Sequence, residues 1–424
     1  MHLLSMGTAG GQAGHVQKNH KISMFSGART TRGTMNRPIL PVETTMPSTA
    51  TAMKIVCDRT ALADAVSLVS GVVAARSPSP VLQCLRLTAG HGQLRLSATD
   101  LEIGVAQSID EVDVQQEGEV LVPADKLSQI VKASDDPTLT LEADGDRLRI
   151  RGLGSNWSLH GFPVSEAPEV EDFDESITAD YEVPAVILRK QIQRTLFAAA
   201  NEQSRYAING VLFERSGQTL RCVATDGRRL ALSSCACEKT TDKDGNTIIP
   251  SKALQLLGKL LDARAQGEVR VSIREGRAHF GIGHGSRNAT ITTTLVEGSF
   301  PPWSDVVPKD NDIHITMDTS SLAGAVRRAA LLTSQESRGV KLTFSAGSLV
   351  ITSRAPDTGE AEIRVDCNYD GDDLAIGFNP GYLTDALKII DSPEITLSLK
   401  GPQKPGVVKA DGEFIYVVMP VSLD

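Results

Sequence analysis

The sequence predicts an α+β chain made of three tandem copies of a helix–strands–helix–strands domain. Three observations predict it. An amphipathic helix pattern recurs at Leu62/Val66/Val69, Leu188/Ile192/Leu196 and Leu322/Val326/Ala329, with i, i+4 and i+7 or i+8 spacing. The tripeptide Ala98-Thr99-Asp100 returns 126 residues later as Ala224-Thr225-Asp226. A Pro-led second helix returns at Pro123, Pro250 and Pro380, at offsets of 127 and 130 residues. The length of 424 residues agrees, since roughly 150 residues per domain gives about three.

Taken in order, each copy opens on its amphipathic helix. Alternating strand patterns follow: Leu85–Leu87 with Gln93–Ser97, Gly210–Phe213 with Leu220–Val223, and Gly339–Leu342 with Leu349–Ile351. Gly stands in the turns between them, as hairpins require. The second helices run through Leu127, Ile130 and Val131, through Leu254, Leu257 and Leu260, and through Leu383, Leu387 and Ile390. Proline suits the first turn of a helix, where its missing N–H has no helical partner. More strands close each copy near Phe162-Pro163, Phe300-Pro301 and Met419-Pro420. The linkers are acidic or Pro-rich, from Glu166 to Ser176 and from Pro301 to Asp312. The domain boundaries read as 53–172, 173–302 and 303–424. Units of this size are domains rather than solenoid repeats, and together they imply a curved array with one continuous sheet. Sheet edges must be paired or covered, so open edges at both ends invite closure with a second copy.

Residues 1–52 are different material. They hold five basic residues and one acid, and they lack the apolar run of a signal peptide. They read as a disordered tail, or as a start placed too far upstream, with Met53 as the start. The whole chain carries −9, so residues 53–424 carry −13. That balance argues against coating nucleic acid by bulk positive charge, but not against a local basic face. Helix faces opposite the apolar stripes carry Arg189, Lys190, Arg194, Lys259, Arg327 and Arg328.

Enzyme signals are missing from the sequence. It has no GxSxG, HExxH, Walker lysine loop or DxDxDG. Gly281-Ile282-Gly283-His284-Gly285 reads as a hairpin and Asp242–Asn246 as a turn. The six cysteines (Cys57, Cys84, Cys222, Cys235, Cys237, Cys367) have no CxxC spacing and read as free buried thiols of a reducing cytosol. No metal, cofactor or catalytic residue is expected, and no stretch is long and apolar enough to span a membrane.

Four stretches resemble the bacterial DNA polymerase sliding clamp family, the beta subunit of the polymerase III holoenzyme. They are Arg205–Glu214 (RYAINGVLFE), Val223–Ala231 (VATDGRRLA), Leu295–Pro301 (LVEGSFP) and Tyr416–Pro420 (YVVMP). The resemblance covers about 53–424. It implies the DNA clamp fold, closed as a head-to-tail homodimeric ring. It also implies a non-catalytic processivity factor, an accessory subunit of a DNA-directed DNA polymerase whose nucleotidyltransferase activity lies elsewhere. Such a ring is cytoplasmic, encircles duplex DNA without sequence specificity, and needs no cofactor. It is loaded by a clamp loader and tethers polymerase and repair proteins through short peptides. The resemblance points to Arg76, Arg205, Tyr206 and Lys252 as DNA-facing. It places a peptide groove at Thr225, Gly227, Arg229, Leu230, Pro301, Val306, Tyr382, Val418, Met419 and Pro420. It places the dimer seam at Trp157, Leu159, Leu331 and Leu332.

Some positions depart from the family pattern. Ala207 stands where an aromatic often follows, and Arg228 where a His is familiar. Asp305 and Ser422 stand where basic residues are known, and Asp424 extends the tail. These changes make the groove rim more acidic, except at Arg228. The alternatives are a repeat-built peptide-binding scaffold that does not encircle DNA, and a hydrolase without readable motifs. The scaffold predicts a monomer or open array; the hydrolase predicts a cleft with strongly perturbed titratable groups.

Overall fold

The computed structural model describes residues 52–74, 76–173, 177–200, 207–239, 241, 244–263, 267–283, 288–333, 339–411 and 413–422. The expectations for the N-terminal tail before residue 52, for Arg205, Tyr206 and Asp424, and for much of the two Gly-rich turns lie outside these residues.

The first unit runs β1 (Met53–Asp58), α1 (Arg59–Val69), β2 (Cys84–Gly90), β3 (Gln93–Thr99), β4 (Ile103–Ile109), β5 (Val112–Gln116), β6 (Gly118–Pro123), α2 (Ala124–Ala133), β7 (Thr138–Asp144), β8 (Arg147–Arg151) and β9 (Asn156–His160). The second runs β10 (Tyr181–Pro184), α3 (Ala185–Thr195), β11 (Gly210–Ser216), β12 (Thr219–Thr225), β13 (Arg229–Ala236), β14 (Glu238–Lys239), β15 (Gly245–Pro250), α4 (Ser251–Ala263), β16 (Glu268–Arg274), β17 (Arg277–Ile282) and β18 (Ala289–Thr294). The third runs β19 (Ile313–Asp318), α5 (Thr319–Ala329), β20 (Val340–Ser345), β21 (Ser348–Ala355), β22 (Gly359–Asp366), β23 (Leu374–Phe378), α6 (Pro380–Lys388), β24 (Glu394–Leu399), β25 (Gly406–Ala410) and β26 (Phe414–Val418).

Each unit therefore opens on a strand, not on the helix the sequence suggested. The strand is easy to miss because its last residue starts the helix. Asp58 accepts the Ala61 N–H at 2.8 Å, and Asp318 accepts the Ser321 N–H at 2.7 Å, each as an N-cap. Pro184 takes the same place before α3. The Pro-led helices form as expected, at α2, α4 and α6.

Four antiparallel sheets replace the single continuous one. Their strand orders are β5-β1-β7-β8-β9, β14-β10-β16-β17-β18-β4-β3-β2-β6, β15-β11-β12-β13-β26-β25-β24-β19 and β22-β21-β20-β23. Two of them cross from one unit into the next. At the first joint β4 pairs with β18, Gly104 opposite Thr292; at the second β13 pairs with β26, Leu230 opposite Val417. The strands in the places of β4 and β18 at the two ends of the array are β22 and β9, and both are sheet edges.

The helices pack in pairs, α1 with α2, α3 with α4 and α5 with α6. Their apolar stripes, including Leu62/Val66, Leu188/Ile192 and Leu322/Val326, enter the main core. The first linker is strapped across its joint. Arg95 holds Asp172 at 2.7 Å and the Val170 carbonyl at 3.0 Å, while the Phe173 ring lies 4.6 Å from the Arg270 guanidinium.

Candidate nucleic-acid and peptide interfaces

The cationic helix faces divide into paired and free groups. Arg189 pairs with Asp262, and Lys190 reaches Asp411 at 3.2 Å and Asp391 at 3.6 Å. Arg194 is the exception to the sequence reading. Its side chain is only 6% exposed, it donates to Asp411 at 2.5 Å, and it lies 5.5 Å from the Phe414 ring. The last turn of α3 faces the turn between β25 and β26, so this arginine joins two units and is shielded from a ligand. Burial alone would raise the Asp411 carboxyl; the Lys190 hydrogen bond and the Arg194 charge outweigh it and hold it below its ordinary value.

Lys259, Arg327 and Arg328 are exposed and have no ion-pair partner among the described residues. Arg76, in the loop after α1, is exposed as well. Lys252, in the first turn of α4, donates to Asp100 at 2.5 Å and to the Val72 carbonyl at 3.3 Å. Half its side chain stays exposed at the first joint.

The groove residues converge on the second joint. The turn before β13 is fixed by Asp226, whose Oδ1 accepts the Arg228 and Arg229 N–H groups at 2.9 and 3.1 Å. Gly227 sits there at φ +85°, where a side chain would be strained. Thr225 donates to the Arg229 carbonyl at 2.6 Å. Arg229 donates to Asp226, to Asp385 at 2.7 Å and to the Phe197 carbonyl at 2.7 Å, and lies 4.5 Å from the Tyr382 ring. Burial opposes its charge, but the Asp385 hydrogen bond and the nearby carboxylates hold the guanidinium above its ordinary range.

Strand alternation sorts the rest. Leu230 faces outward into a second apolar cluster with Leu212, Val223, Leu232, Ile248 and Val417. Phe300 and Trp303 of the following linker pack on it. Beside them Pro301 helps to line a cavity of about 420 Å³, with Glu214 and Asn246 on its wall. Val306 and Met419 are 47% and 40% exposed, and the Met419 N–H donates to the Arg228 carbonyl at 2.9 Å. Pro420 is half-buried just beyond.

Val418 corrects the sequence reading. It lies opposite Arg229 and points into the main core with no exposure, so it does not line the outward face. Its neighbour Val417, opposite Leu230, is on that face, together with Ile415. Strand parity was the available signal: Leu230 and Val417 differ in phase from Arg229 and Val418. Tyr382, on α6, also packs against the main core and accepts the Tyr416 hydroxyl at 2.9 Å through its carbonyl.

At the ends of the array, Trp157 and Leu159 alternate on the edge strand β9 and are half-buried. Leu332 is half-buried after α5, and Leu331 is 77% exposed. Burial pushes the Cys57 and Cys235 thiols up to about 12 and the Cys84 thiol up to about 11, which favours the protonated, unreactive form. Among the described residues, no cluster of His, Cys, Asp and Glu could hold a metal, and no helix is long and apolar enough to cross a membrane.

Three equivalent units joined edge to edge, each with two helices over its sheets, make a three-domain clamp fold. Family models for the N-terminal, central and C-terminal domains of the DNA polymerase III beta subunit match residues 53–171, 182–302 and 304–422. The chain belongs to the DNA polymerase III beta subunit family. It is 35% identical over 374 residues to the beta sliding clamp of Pseudomonas putida and 32% identical over 376 residues to that of Escherichia coli K12. Each alignment spans 88% of this chain and all of the relative. Among solved structures, the Pseudomonas aeruginosa clamp bound to griselimycin is 33% identical with a TM-score of 0.79. The Thermotoga maritima beta subunit is 26% identical, also at 0.79; both cover 88% of this chain and all of the solved chain.

Proposed function

We infer that this chain is a DNA sliding clamp, the processivity factor of a replicative polymerase. Two copies close head to tail around duplex DNA and tether the polymerase and other replication proteins, without catalysing a reaction. It works in the cytoplasm. The observation that carries this reading is the pair of open edges, β9 and β22. They are equivalent to the strands that join the units twice already, so a second copy closes the array with two further joints of the same kind.

The domains are 53–172, 173–302 and 303–424. Arg76 and Lys252, with Arg205 and Tyr206, face DNA and contact phosphates and sugars, which position without reading sequence. The exposed cations Lys259, Arg327 and Arg328, without an ion-pair partner among the described residues, add to that face. The groove at the second joint takes apolar anchors of partner peptides against Leu230, Pro301, Val306 and Met419, with Thr225, Gly227, Arg229, Tyr382 and Pro420 framing it. Each buried anchor contributes about 1.5–3 kcal/mol, and ordering costs offset much of it, which gives micromolar affinity. Trp157, Leu159, Leu331 and Leu332 form the seam.

The test is retention on DNA. Loaded clamp should stay on a closed circle and run off the same DNA once it is linearised. Equal retention on both would overturn the topological mechanism. Leu332→Asp should give monomers by sedimentation, and a dimer of unchanged mass would overturn the seam.

A further inference from the structure

The two joints within the chain share one register, and the free edges inherit it. The hairpin turns put the units in phase: Gly90 opposite Gln93, Ser216 opposite Thr219 and Ser345 opposite Ser348. The next strand pairs Thr99 with Gly104, Thr225 with Leu230 and Arg354 with Glu360. Glu360 therefore holds the place of Gly104 and Leu230. On the other edge, His279 pairs with Thr292 and Arg149 with Ser158, each two residues beyond its hairpin turn. Ser158 therefore holds the place of Thr292. Since Gly104 faces Thr292 at the first joint, a joint of the same register between two copies would set Glu360 against Ser158 of the partner subunit and Glu362 against Asn156 of the partner subunit.

The next column carries the opposite charge. On β8, Arg149 stands beside Ser158 and Arg151 beside Asn156. Neighbouring strands are about 4.8 Å apart, so each glutamate and arginine backbone would be about 10 Å apart across the seam. The side chains between them are the short Ser158 and Asn156, and the long Glu and Arg side chains can meet above them. All four charged residues are exposed on that face. Arg149 and Glu360 have no ion-pair partner among the described residues. Among the described residues, Arg151 and Glu362 pair with near neighbours alone, Glu142 at 3.0 Å and Arg364 at 2.8 Å. At the two permanent joints the same facing positions are uncharged, Gly104 with Thr292 and Leu230 with Val417.

We propose that Arg149 and Arg151 of one subunit pair with Glu360 and Glu362 of the next, and that this charged ladder selects head-to-tail closure. The proposal rests on the ring reading above. It follows from the sign pattern. Pairing β9 with a second β9 would leave the arginines without carboxylates, their columns about 14 Å apart, and pairing β22 with a second β22 would set glutamate directly against glutamate. Like charges across a sheet destabilise it, and edge charges are a common guard against wrong pairing. Exposed ion pairs contribute little attraction each, so the ladder chooses the partner edge more than it holds it.

The experiment uses two charge-reversed chains, Arg149→Glu/Arg151→Glu and Glu360→Arg/Glu362→Arg. Each alone should dimerise roughly tenfold more weakly or worse, since its seams oppose like charges. Mixed in equal amounts, they should form a heterodimer by native mass spectrometry, because both of its seams are complementary. The chain carrying all four reversals should dimerise again, which also shows that the substitutions leave the fold intact. Either two-residue variant dimerising like the wild type from ~50 to ~500 mM salt would overturn the ladder while leaving the ring. A mixture that stays monomeric would overturn it too. A wild-type chain that is itself monomeric would remove the ring reading and the ladder together.

Discussion

The Phe197 ring, just after α3, packs against Tyr416 of the next unit with centroids 5.7 Å apart and planes tilted by 41°. This contact wedges the second joint from the helix side. Unit equivalence carries it to the seam. Leu331 follows α5 as Phe197 follows α3, twelve residues after the first helical residue in each case. Trp157 holds the place of Tyr416, one residue before the seam-facing position. Leu331 is 77% exposed, as a wedge would be whose socket is supplied by the second copy proposed above.

Leu331→Ala should therefore weaken the dimer without unfolding the monomer. An apolar side chain of this size contributes about 1.5–3 kcal/mol on burial, so each seam should lose about tenfold or more in affinity. Sedimentation equilibrium reads the loss, and the concentration at which Trp157 fluorescence changes on dilution should rise with it. A dimer unchanged in affinity would place the wedge elsewhere.

Val417 and Val418 separate binding from folding. Val417→Ala trims the outward apolar cluster beside Leu230, where Val417 is 1% exposed, and should lower peptide affinity in fluorescence anisotropy several-fold, beyond any loss shared with Val418→Ala. Val418→Ala empties space in the main core and should lower stability by about 2 kcal/mol with peptide affinity retained. The reverse pattern would mean that the groove lies on the helix side of the sheet.

The sequence made the units legible because their helix stripes and Pro-led turns repeat at fixed offsets. It hid β1, β10 and β19 because a short strand that ends in an N-cap, Asp58 or Asp318, has too few residues to show a period. It hid the joints because strand partners about 180–190 residues apart leave no local mark: nothing near Leu230 names Val417. The groove set was read from resemblance, which carries residue positions but not strand parity. The sequence puts Arg194 on the helix face opposite the apolar stripe, but an amphipathic pattern shows which face leaves its own domain's core, and not whether the next domain covers it.

The Arg194–Asp411 contact predicts a pH dependence. The Asp411 carboxyl is held below its ordinary value, so its contribution is fully present above the unfolded value of about 3.9 and is lost as pH falls through the lower folded one. Amides of β25 and β26 should exchange faster below that pH, and Asp411→Asn should abolish the acid step. Arg194→Ala should cost about 1–2 kcal/mol of stability, discounted because Asp411 is 41% exposed, and leave DNA binding unchanged. A weaker salt dependence of DNA binding in that variant would return Arg194 to the DNA face.

Lys252 and Asp100 bear on how tightly the ring holds duplex. The 2.5 Å contact lets Asp100 offset a charge that a phosphate would otherwise receive. Asp100→Asn keeps the side-chain oxygen that accepts the Glu102 and Ile103 N–H groups, so the turn should survive. It should also free Lys252 and strengthen DNA binding a few-fold. Each phosphate contact contributes about 0.9 to the slope of log affinity against log salt. Lys252→Ala should therefore remove about 0.9 of slope in the Asp100→Asn background and less in the wild type. Arg327→Ala with Arg328→Ala should remove up to about 1.8, since neither arginine has an ion-pair partner among the described residues. Slopes that ignore Lys252 in both backgrounds would make it a tie of the first joint alone, and would leave DNA contact to the free arginines.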